Sequence, residues 1–249
     1  MKAFDKKASE FDHFELLNSP RRVMDPKPLT SNPPWDLTPK EAVAEQKYLA
    51  DKVIRKSGSD IGAVAYVAGV DTHFHQGLAV SAVVVIRLSD LSTVDYATAV
   101  KKIRFPYIPG LLTFREGPSI LAALDHLTAV PDLLIFDGQG IAHPRRCGLA
   151  SHIGLLLDIP SIGCAKTRLS GRYEEPSIEK GSYSYLKDGD ETIGAVVRTR
   201  SKVKPLFVSI GHRINLQDSI NMVLRCCSKY RLPETTRRAD RLARGGMIS

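Results

Sequence analysis

Two aspartates each follow a run of apolar residues. Asp71 ends the run at residues 67–71 (VAGVD), and Asp137 ends the run at residues 133–137 (LLIFD). Ligands of open α/β sheets bind beyond the carboxyl ends of the strands, so two such acids on neighbouring strands would share one site. Two adjacent carboxylates repel each other unless a cation lies between them, and oxygen ligands suit Mg²⁺ or Mn²⁺. The alternative is that each aspartate caps a turn, because Asp is a favoured turn residue.

Three further residues are candidates for the same site. Glu116 lies just ahead of a helical pattern, where its charge could also serve only to stabilise the helix N-terminus. Lys166 and His212 each follow an apolar run, as Asp137 does. This repeated arrangement favours one shared edge of a sheet over scattered surface positions.

The loops after these runs contain groups that could bind a nucleic acid. Gly138 and Gly140 allow a positive φ or a close approach of a ligand to the backbone, although the longer dinucleotide and Walker patterns are absent. Arg145 could bind phosphate or belong to a solvated basic face. Tyr107, in a loop stiffened by two prolines, could stack on a base or simply anchor the loop on the core.

Periodicity predicts the elements that hold these residues. A capping-box pattern at residues 38–41 (TPKE) begins a helix, and three Val-rich runs at residues 63–71, 78–87 and 93–103 predict an antiparallel meander. The pattern then alternates between helix and strand, which indicates an α/β fold with a mixed sheet of the meander followed by parallel strands. The predicted elements are a helix after Pro118, a strand at 133–136, a helix at 149–157, a strand at 160–165, a hairpin at 182–199, a strand at 206–210 and a last helix at 216–229.

Composition limits the class of protein. The 249 residues allow one large domain, and the formal charge of +8 favours a polyanionic partner. Residues 1–36 predict a loosely ordered extension, and residues 37–249 a single domain whose basic C-terminal tail, residues 225–244, either follows a phosphate backbone or is merely exposed. The four cysteines match no zinc spacing and are expected to be reduced thiols. With neither a membrane-spanning run nor a signal sequence, the chain is expected to be cytoplasmic.

Long segments of the chain resemble the endonuclease V family, the repair nucleases for deaminated purines. They occur in the family's order and cover nearly everything after residue 60. The matching segments are VAGVD at 67–71, PYIPGLLTFREGP at 106–118, PDLLIFDGQGIAHPRRCGLASHIGLLLDIPSIGCAKTRLSG at 131–171, PLFVSIGHRI at 205–214 and YRLPETTR at 230–237.

The resemblance implies a ribonuclease H-like fold. It also implies Mg²⁺-dependent hydrolysis of the second phosphodiester bond 3′ to deoxyinosine in DNA by a monomer, with Mn²⁺ as a substitute ion. By motif position, the implied metal ligands are Asp71, Asp137 and Glu116, and Lys166 and His212 complete the implied catalytic set. Tyr107 matches the aromatic residue of a wedge loop that fills the gap left by the displaced base. The implied substrate-binding residues are Tyr107, Pro109, Gly110, Leu112, Gly138, Gly140, His143, Arg145 and Leu169.

Two departures from the family pattern leave roles unassigned. His73 and His75 replace a small apolar stretch, and Gln139 stands where close relatives often have His. Two other functions remain as alternatives: a ribonuclease for inosine-containing RNA, and a non-catalytic module that binds lesions. The presence of all three acids argues against the second alternative.

Overall fold

The structure is a computed structural model that describes residues 35–58 and 61–247. Its elements follow the chain in this order: α1 Pro39–Ala50, a 3-10 turn Ile61–Ala63, β1 Tyr66–His75, β2 Leu78–Arg87, β3 Thr93–Lys102, α2 Leu112–Asp125, β4 Leu133–Phe136, α3 Leu149–Leu157, β5 Ser161–Ala165, β6 Tyr183–Asp188, β7 Glu191–Val197, β8 Leu206–His212, α4 Leu216–Arg225 and α5 Glu234–Ala243. The strands form one eight-stranded sheet in the order β3-β2-β1-β4-β5-β8-β7-β6.

The predicted meander is confirmed. Strands β1, β2 and β3 pair antiparallel with their neighbours over nearly their full lengths. Gln76 and Gly77 connect the first two strands, and both have positive φ angles of 46° and 78°. Two positive φ angles match the right-handed twist of a tight hairpin. His75 lies at this hairpin end, where it is exposed.

Beyond β1, the sheet contains two parallel strands, followed by strands that pair antiparallel. Strand β4 pairs parallel with both β1 and β5, as predicted. Strand β8 pairs antiparallel with β5, and the predicted hairpin of β6 and β7 extends the sheet beyond it. Because β8 runs antiparallel to β5, it ends at the side of the sheet where β5 begins.

Helices cover both faces of the sheet. Helices α2 and α3 pack on one face and α4 and α5 on the other, so the central strands are buried on both sides. Strands buried in this way are nearly continuous runs of apolar residues. On the α2 and α3 face, the largest buried side chains include Leu134, Phe136, Ile120, Leu124 and Ile153.

The helix starts differ in how well the sequence predicted them. At α1, the Thr38 and Glu41 side chains form both bonds of the predicted capping box. Helix α2 begins at Leu112, earlier than predicted, and contains Pro118 in its interior. Proline usually ends or kinks a helix because it lacks an N–H donor, which is why the sequence placed the start after Pro118. Glu116 therefore lies inside the helix and not ahead of it.

The segment predicted as a basic tail contains an ordered helix. Helix α5 packs across β1 and β2, and a Cβ atom at Gly69 would lie 2.2 Å from the carbonyl carbon of Thr235. Only glycine permits strand and helix backbones to approach so closely. The prediction of a tail is wrong for α5, which forms part of the core of the domain.

Two residues of the predicted extension, Trp35 and Asp36, lie within the described part of the chain. Trp35 stacks on His152 with ring centroids 5.8 Å apart, and it also contacts Phe114 and Gly117. The remaining part of the predicted extension, residues 1–34, lies outside the described residues. The four cysteines are buried and unpaired, as predicted. Within residues 35–58 and 61–247, no helix combines the length and apolar character needed to cross a membrane.

Candidate active site

The two aspartates lie side by side, but the prediction that Asp71 ends its strand is wrong, because β1 continues to His75 in its pairing with β2. Val70 and Phe136 form the last residue pair between β1 and β4, and the Asp137 amide still donates to the Val70 carbonyl at 3.2 Å. Asp71 and Asp137 follow this pair, and their carboxyl groups lie close enough for Asp137 to raise the pKa of Asp71. The predicted meeting of the two acids at one edge of the sheet is therefore confirmed.

Glu116, on α2, lies close to this pair of aspartates. Its side chain is only 7% exposed, and the Thr72 hydroxyl is in hydrogen-bonding contact with it. Burial, together with the charges of Asp71 and Asp137, raises the pKa of Glu116 to about 8. Burial and the neighbouring Asp137 likewise raise the pKa of Asp71 to about 7. The site thus concentrates more negative charge than its surroundings neutralise.

Lys166 supplies one positive charge. Its ammonium group forms an ion pair with the Asp137 carboxylate, and the side chain remains 39% exposed. Burial lowers the pKa of Lys166, but the hydrogen bond to Asp137 and the nearby acids outweigh burial and raise it. The lysine is therefore charged at neutral pH and can contact a bound anion.

A fourth acid, Asp240, was missed by the sequence analysis. It lies on α5, close enough to raise the pKa of Asp71 and that of Lys166. The arginines around it led to the prediction of a tail. The helical spacing of Thr235, Ala239 and Ala243, all buried, was the available signal that this segment packs against the sheet.

His212 does not belong to this group. It pairs with Ser161 at the start of β5, which is the opposite edge of the sheet from Lys166. Its Nδ1 accepts from the Ile54 amide at 3.3 Å, and its Nε2 donates to Asp158 at 3.1 Å. The expectation that His212 shares the site is wrong because β8 runs antiparallel to β5.

The donor set fits a divalent cation. Carboxylate oxygens are the ligands that Mg²⁺ prefers, and it keeps several waters when few protein groups bind it. In the described part of the chain, no group of three or more His, Cys, Asp or Glu side chains is arranged to hold a metal ion. The contact between Asp71 and Asp137, with the pKa of Asp71 raised, is instead an open pair of carboxylates that a cation would stabilise.

A tight loop borders the acids. A Cβ atom at Gly140 would lie 1.9 Å from the Ile210 carbonyl oxygen, whereas one at Gly138 would meet only the Leu149 side chain, at 3.3 Å. Neither glycine has a positive φ, and only Gly140 is needed for a close approach of two backbone segments. Gln139 Nε2 donates to the Thr167 carbonyl at 2.9 Å, while its buried Oε1 has no partner. Gln139 thus ties this loop to the segment that carries the exposed Leu169.

The loop of residues 106–110, called the wedge loop after the family resemblance, contacts α1 through the hydrogen bond from Gln46 to Gly110. Tyr107 is 70% exposed, which suits a side chain that must reach a ligand. Gly110 has a φ of 81°, and its carbonyl is in contact with His143 and Arg145. The structure thus brings His143 and Arg145 to the wedge loop. Leu112 begins α2 two residues later.

Comparisons with known proteins identify relatives over most of the chain. The family model described as Endonuclease V matches residues 47–241. An endonuclease V of Roseiflexus sp. (strain RS-1) is 49% identical over 215 residues, which cover 86% of this chain and 96% of the relative. Matches of this length and identity do not arise from a shared fold alone.

Solved structures similar to this chain also come from endonucleases V. The endonuclease V of Streptomyces avermitilis is 46% identical with a TM-score of 0.81, over 85% of this chain and 94% of that one. The endonuclease V of Ciona intestinalis, crystallised with a 24mer DNA containing an inosine followed by a ribo-adenosine, is 30% identical with a TM-score of 0.72, over 83% and 96%. These likenesses confirm the ribonuclease H-like fold, and endonucleases V are generally metal-dependent. The chain therefore belongs to the endonuclease V family of DNA repair nucleases.

Proposed function

We propose that this protein is a Mg²⁺-dependent endonuclease that acts on deoxyinosine in DNA. It flips the deaminated base out of the duplex and hydrolyses the second phosphodiester bond on its 3′ side, which leaves 3′-hydroxyl and 5′-phosphate ends. The observation that carries the proposal is the adjacency of Asp71 and Asp137 beside Lys166, next to the loop of Gly138 and Gly140. A relative crystallised with inosine-containing DNA supports the choice of substrate.

The acids would hold the cation and place the attacking water. The carboxylate oxygens of Asp71 and Asp137 are partly exposed and are proposed to bind the cation. Glu116 lies close to both acids and is proposed to orient a water molecule. A bound Mg²⁺ would polarise the scissile phosphate and lower the pKa of that water. Asp240 faces the same charges from α5 and is proposed to support this site.

Lys166 would stabilise the charge that develops on the phosphate. Its Nζ contacts Asp137 and is partly exposed, so the same ammonium group can donate to a phosphate oxygen. The departing 3′-oxygen needs a positive charge or a proton, and Lys166 is placed to supply it. Loss of this lysine would therefore slow cleavage more than it weakens DNA binding.

The loops would separate the damaged base from its partner. Tyr107 fills the gap in the duplex, while the backbone around Gly138 forms one wall of a narrow pocket for the flipped base. Deaminated bases pair weakly, so less energy is needed to extrude them. Leu112 and Leu169 are proposed to complete the apolar lining.

The test uses an end-labelled duplex with a single deoxyinosine. With Mg²⁺, the wild-type protein is expected to nick one nucleotide beyond the lesion, and EDTA should abolish the nick. Asp137→Ala is expected to lower the cleavage rate by at least about 10³-fold, the scale of lost electrostatic stabilisation, while lesion binding in a gel shift is largely retained. Asp190→Asn, an exposed acid in the β6–β7 turn, is the matched control and should cleave normally. Unchanged nicking by Asp137→Ala would refute the assigned role of this acid.

An inosine-specific ribonuclease is the second candidate. In the Ciona intestinalis complex, a ribonucleotide follows the inosine, so that relative accommodates a 2′-hydroxyl at this position. The same sequence should be tested as single-stranded DNA, as DNA with one ribonucleotide 3′ to the inosine, and as RNA. A kcat/KM at least tenfold higher for RNA than for DNA would favour this candidate.

A further inference from the structure

One carbonyl group of the wedge loop receives three side-chain donors. The Gly110 oxygen accepts from Gln46 Nε2 at 2.9 Å, from Arg145 Nη2 at 2.8 Å and from His143 Nε2 at 2.9 Å. Gln46 comes from α1, and the other two residues come from the loop after β4. Donors from two segments distant in sequence therefore converge on a single backbone atom of a third segment.

Gln46 connects these groups to one another. Its second Nε2 hydrogen donates to the Cys147 carbonyl at 2.9 Å, and its Oε1 accepts from Arg145 Nε at 2.6 Å. Gln46 is 1% exposed, and both of its amide hydrogens and its oxygen have hydrogen-bond partners. A buried, fully satisfied amide of this kind holds its neighbours in one arrangement.

The histidine has a defined role in this cluster. Its Nδ1 accepts from the Arg145 amide at 3.1 Å, so Nε2 carries the hydrogen that is donated to Gly110. Burial lowers the pKa of His143 to about 4, which keeps the ring neutral at physiological pH. Both nitrogens of His143 are therefore used within the protein.

Gly110 itself depends on the cluster. With a φ of 81°, it adopts a conformation that favours glycine, and a Cβ atom there would lie 2.8 Å from Arg145 Nη2. In the loop before it, the Ile108 carbonyl accepts from the Leu111 amide at 3.0 Å, while Tyr107 and Pro109 are exposed. The position of Tyr107 therefore depends on how firmly Gly110 is held.

We propose that Gln46, His143 and Arg145 form a clamp that positions the wedge loop for lesion recognition. Gln46 is the central positioning residue, and it lies just outside residues 47–241, the span of the family match. His143 and Arg145 act through Gly110 and not by direct contact with the base. This inference rests on the proposed function, because it assigns the clamp to the lesion-binding step of that reaction.

A preorganised loop loses less entropy when DNA binds, so loss of the clamp should change KM more than kcat. Gln46→Met keeps the volume of the side chain and removes its hydrogen bonds. It is expected to raise KM for the inosine duplex about tenfold, since several loop residues must then be ordered on binding, and to change kcat less than about twofold. Gln46→Glu, which keeps the acceptor for Arg145 but cannot donate to Gly110 or Cys147, should raise KM at least as much.

Leu49→Ala is the matched control. Leu49 lies one turn further along α1, is 2% exposed and packs against Cys147 and Leu155 without touching Gly110. The Leu49→Ala variant should have its Tm lowered at least as much as Gln46→Met, because the substitution creates a cavity in the core. Below its melting temperature, however, its KM should stay within twofold of the wild type. An equal rise in KM for both variants would mean that α1 packing alone matters, and would overturn the proposal.

Amide hydrogen exchange of the free protein tests the clamp without any activity. Peptides covering residues 105–112 should exchange at least about fivefold faster in both Gln46 variants than in the wild type or Leu49→Ala, because the loop opens more often. Unchanged exchange would overturn the clamp. Faster exchange with an unchanged KM would overturn its role in recognition. Absence of nicking by the wild type would refute the proposed function, and the exchange data would still decide whether the clamp holds the loop.

Discussion

Gly138 and Gly140 flank the same glutamine but have different neighbours. Gly140 is wedged against the backbone of β8, and its amide donates to Ser209 Oγ at 2.9 Å. Gly138 is partly exposed and faces the flexible Leu149 side chain. The two residues therefore have different roles. Gly140 holds the loop on the sheet, and Gly138 is proposed to line the pocket for the flipped base.

This difference predicts opposite results for two alanine variants. Gly140→Ala cannot be accommodated without moving the backbone, and we expect it to lose about 1–3 kcal/mol of unfolding free energy through overpacking. Gly138→Ala should melt near the wild-type temperature but bind the inosine duplex more weakly, because its methyl group would meet the Leu149 side chain at 3.3 Å and shift the proposed pocket wall. Thermal melts and gel shifts measure the two effects. A normal affinity for Gly138→Ala would place the flipped base elsewhere.

At the scale of elements, α5 links stability to the candidate site. The helix lies on β1 through the contact of Gly69 with Thr235 and Thr236, and its Asp240 interacts with the acids. Arg238 also donates to the Leu91 carbonyl at 2.7 Å, so that the helix is fastened to the β2–β3 turn. Any shift of α5 should therefore change both the melting temperature and the electrostatics of the site.

Gly69→Ala tests this link. The new methyl group would collide with the α5 backbone, so we expect a lower Tm together with slower nicking. Gly62→Ala is the control, since nothing lies within 4 Å of its Cβ position. Asp240→Asn should keep the wild-type Tm and still slow the nicking if the charge of Asp240 matters. Rapid cleavage by Gly69→Ala at a reduced Tm would show that the position of α5 does not matter for the site.

At the scale of the whole molecule, buried titratable groups make stability depend on pH. Burial and neighbouring charges raise the pKa of Asp71 to about 7 and that of Glu116 to about 8, above the ordinary carboxyl range. Burial lowers the pKa of both His143 and His152 to about 4. Because the carboxyl pKa values are raised, the folded state binds more protons than the unfolded state and loses stability as pH rises through these values. The histidines have the opposite sign, and their contribution is lost as pH falls from 6.5 towards 4.

Below pH 6.5, the carboxyl groups and the histidines change the free energy of unfolding in opposite directions. Above pH 6.5, the carboxyl groups decide its change with pH. We therefore expect the metal-free protein to lose on the order of 1–2 kcal/mol of stability between pH 6.5 and 8.5. Mg²⁺ or Mn²⁺ should reverse this loss, because a cation between the carboxylates favours their charged forms. Thermal melts in EDTA and in Mg²⁺ measure the difference, and Glu116→Gln should flatten the EDTA curve. A metal-free Tm that is constant above pH 6.5 would contradict the assigned charges.

The sequence predicted the features that depend on local patterns. Val-rich alternation predicted the meander, the residues at 38–41 predicted the start of α1, and the apolar run at 133–136 placed Asp137 at the end of β4. These predictions hold because hydrophobic periodicity and capping act over a few residues. The family motifs extended the prediction to the fold, which a short pattern could not specify.

Only the tertiary structure decided which distant elements meet. The direction of β8 separates His212 from the acids, and the packing of α5 brings Asp240 to them. The convergence of Gln46 with Arg145 on Gly110 joins residues up to 99 positions apart. Such contacts depend on strand direction and helix placement across the whole sheet, and a local pattern of residues contains no information about either. The acids could thus be found in the sequence, whereas their partners were determined by packing.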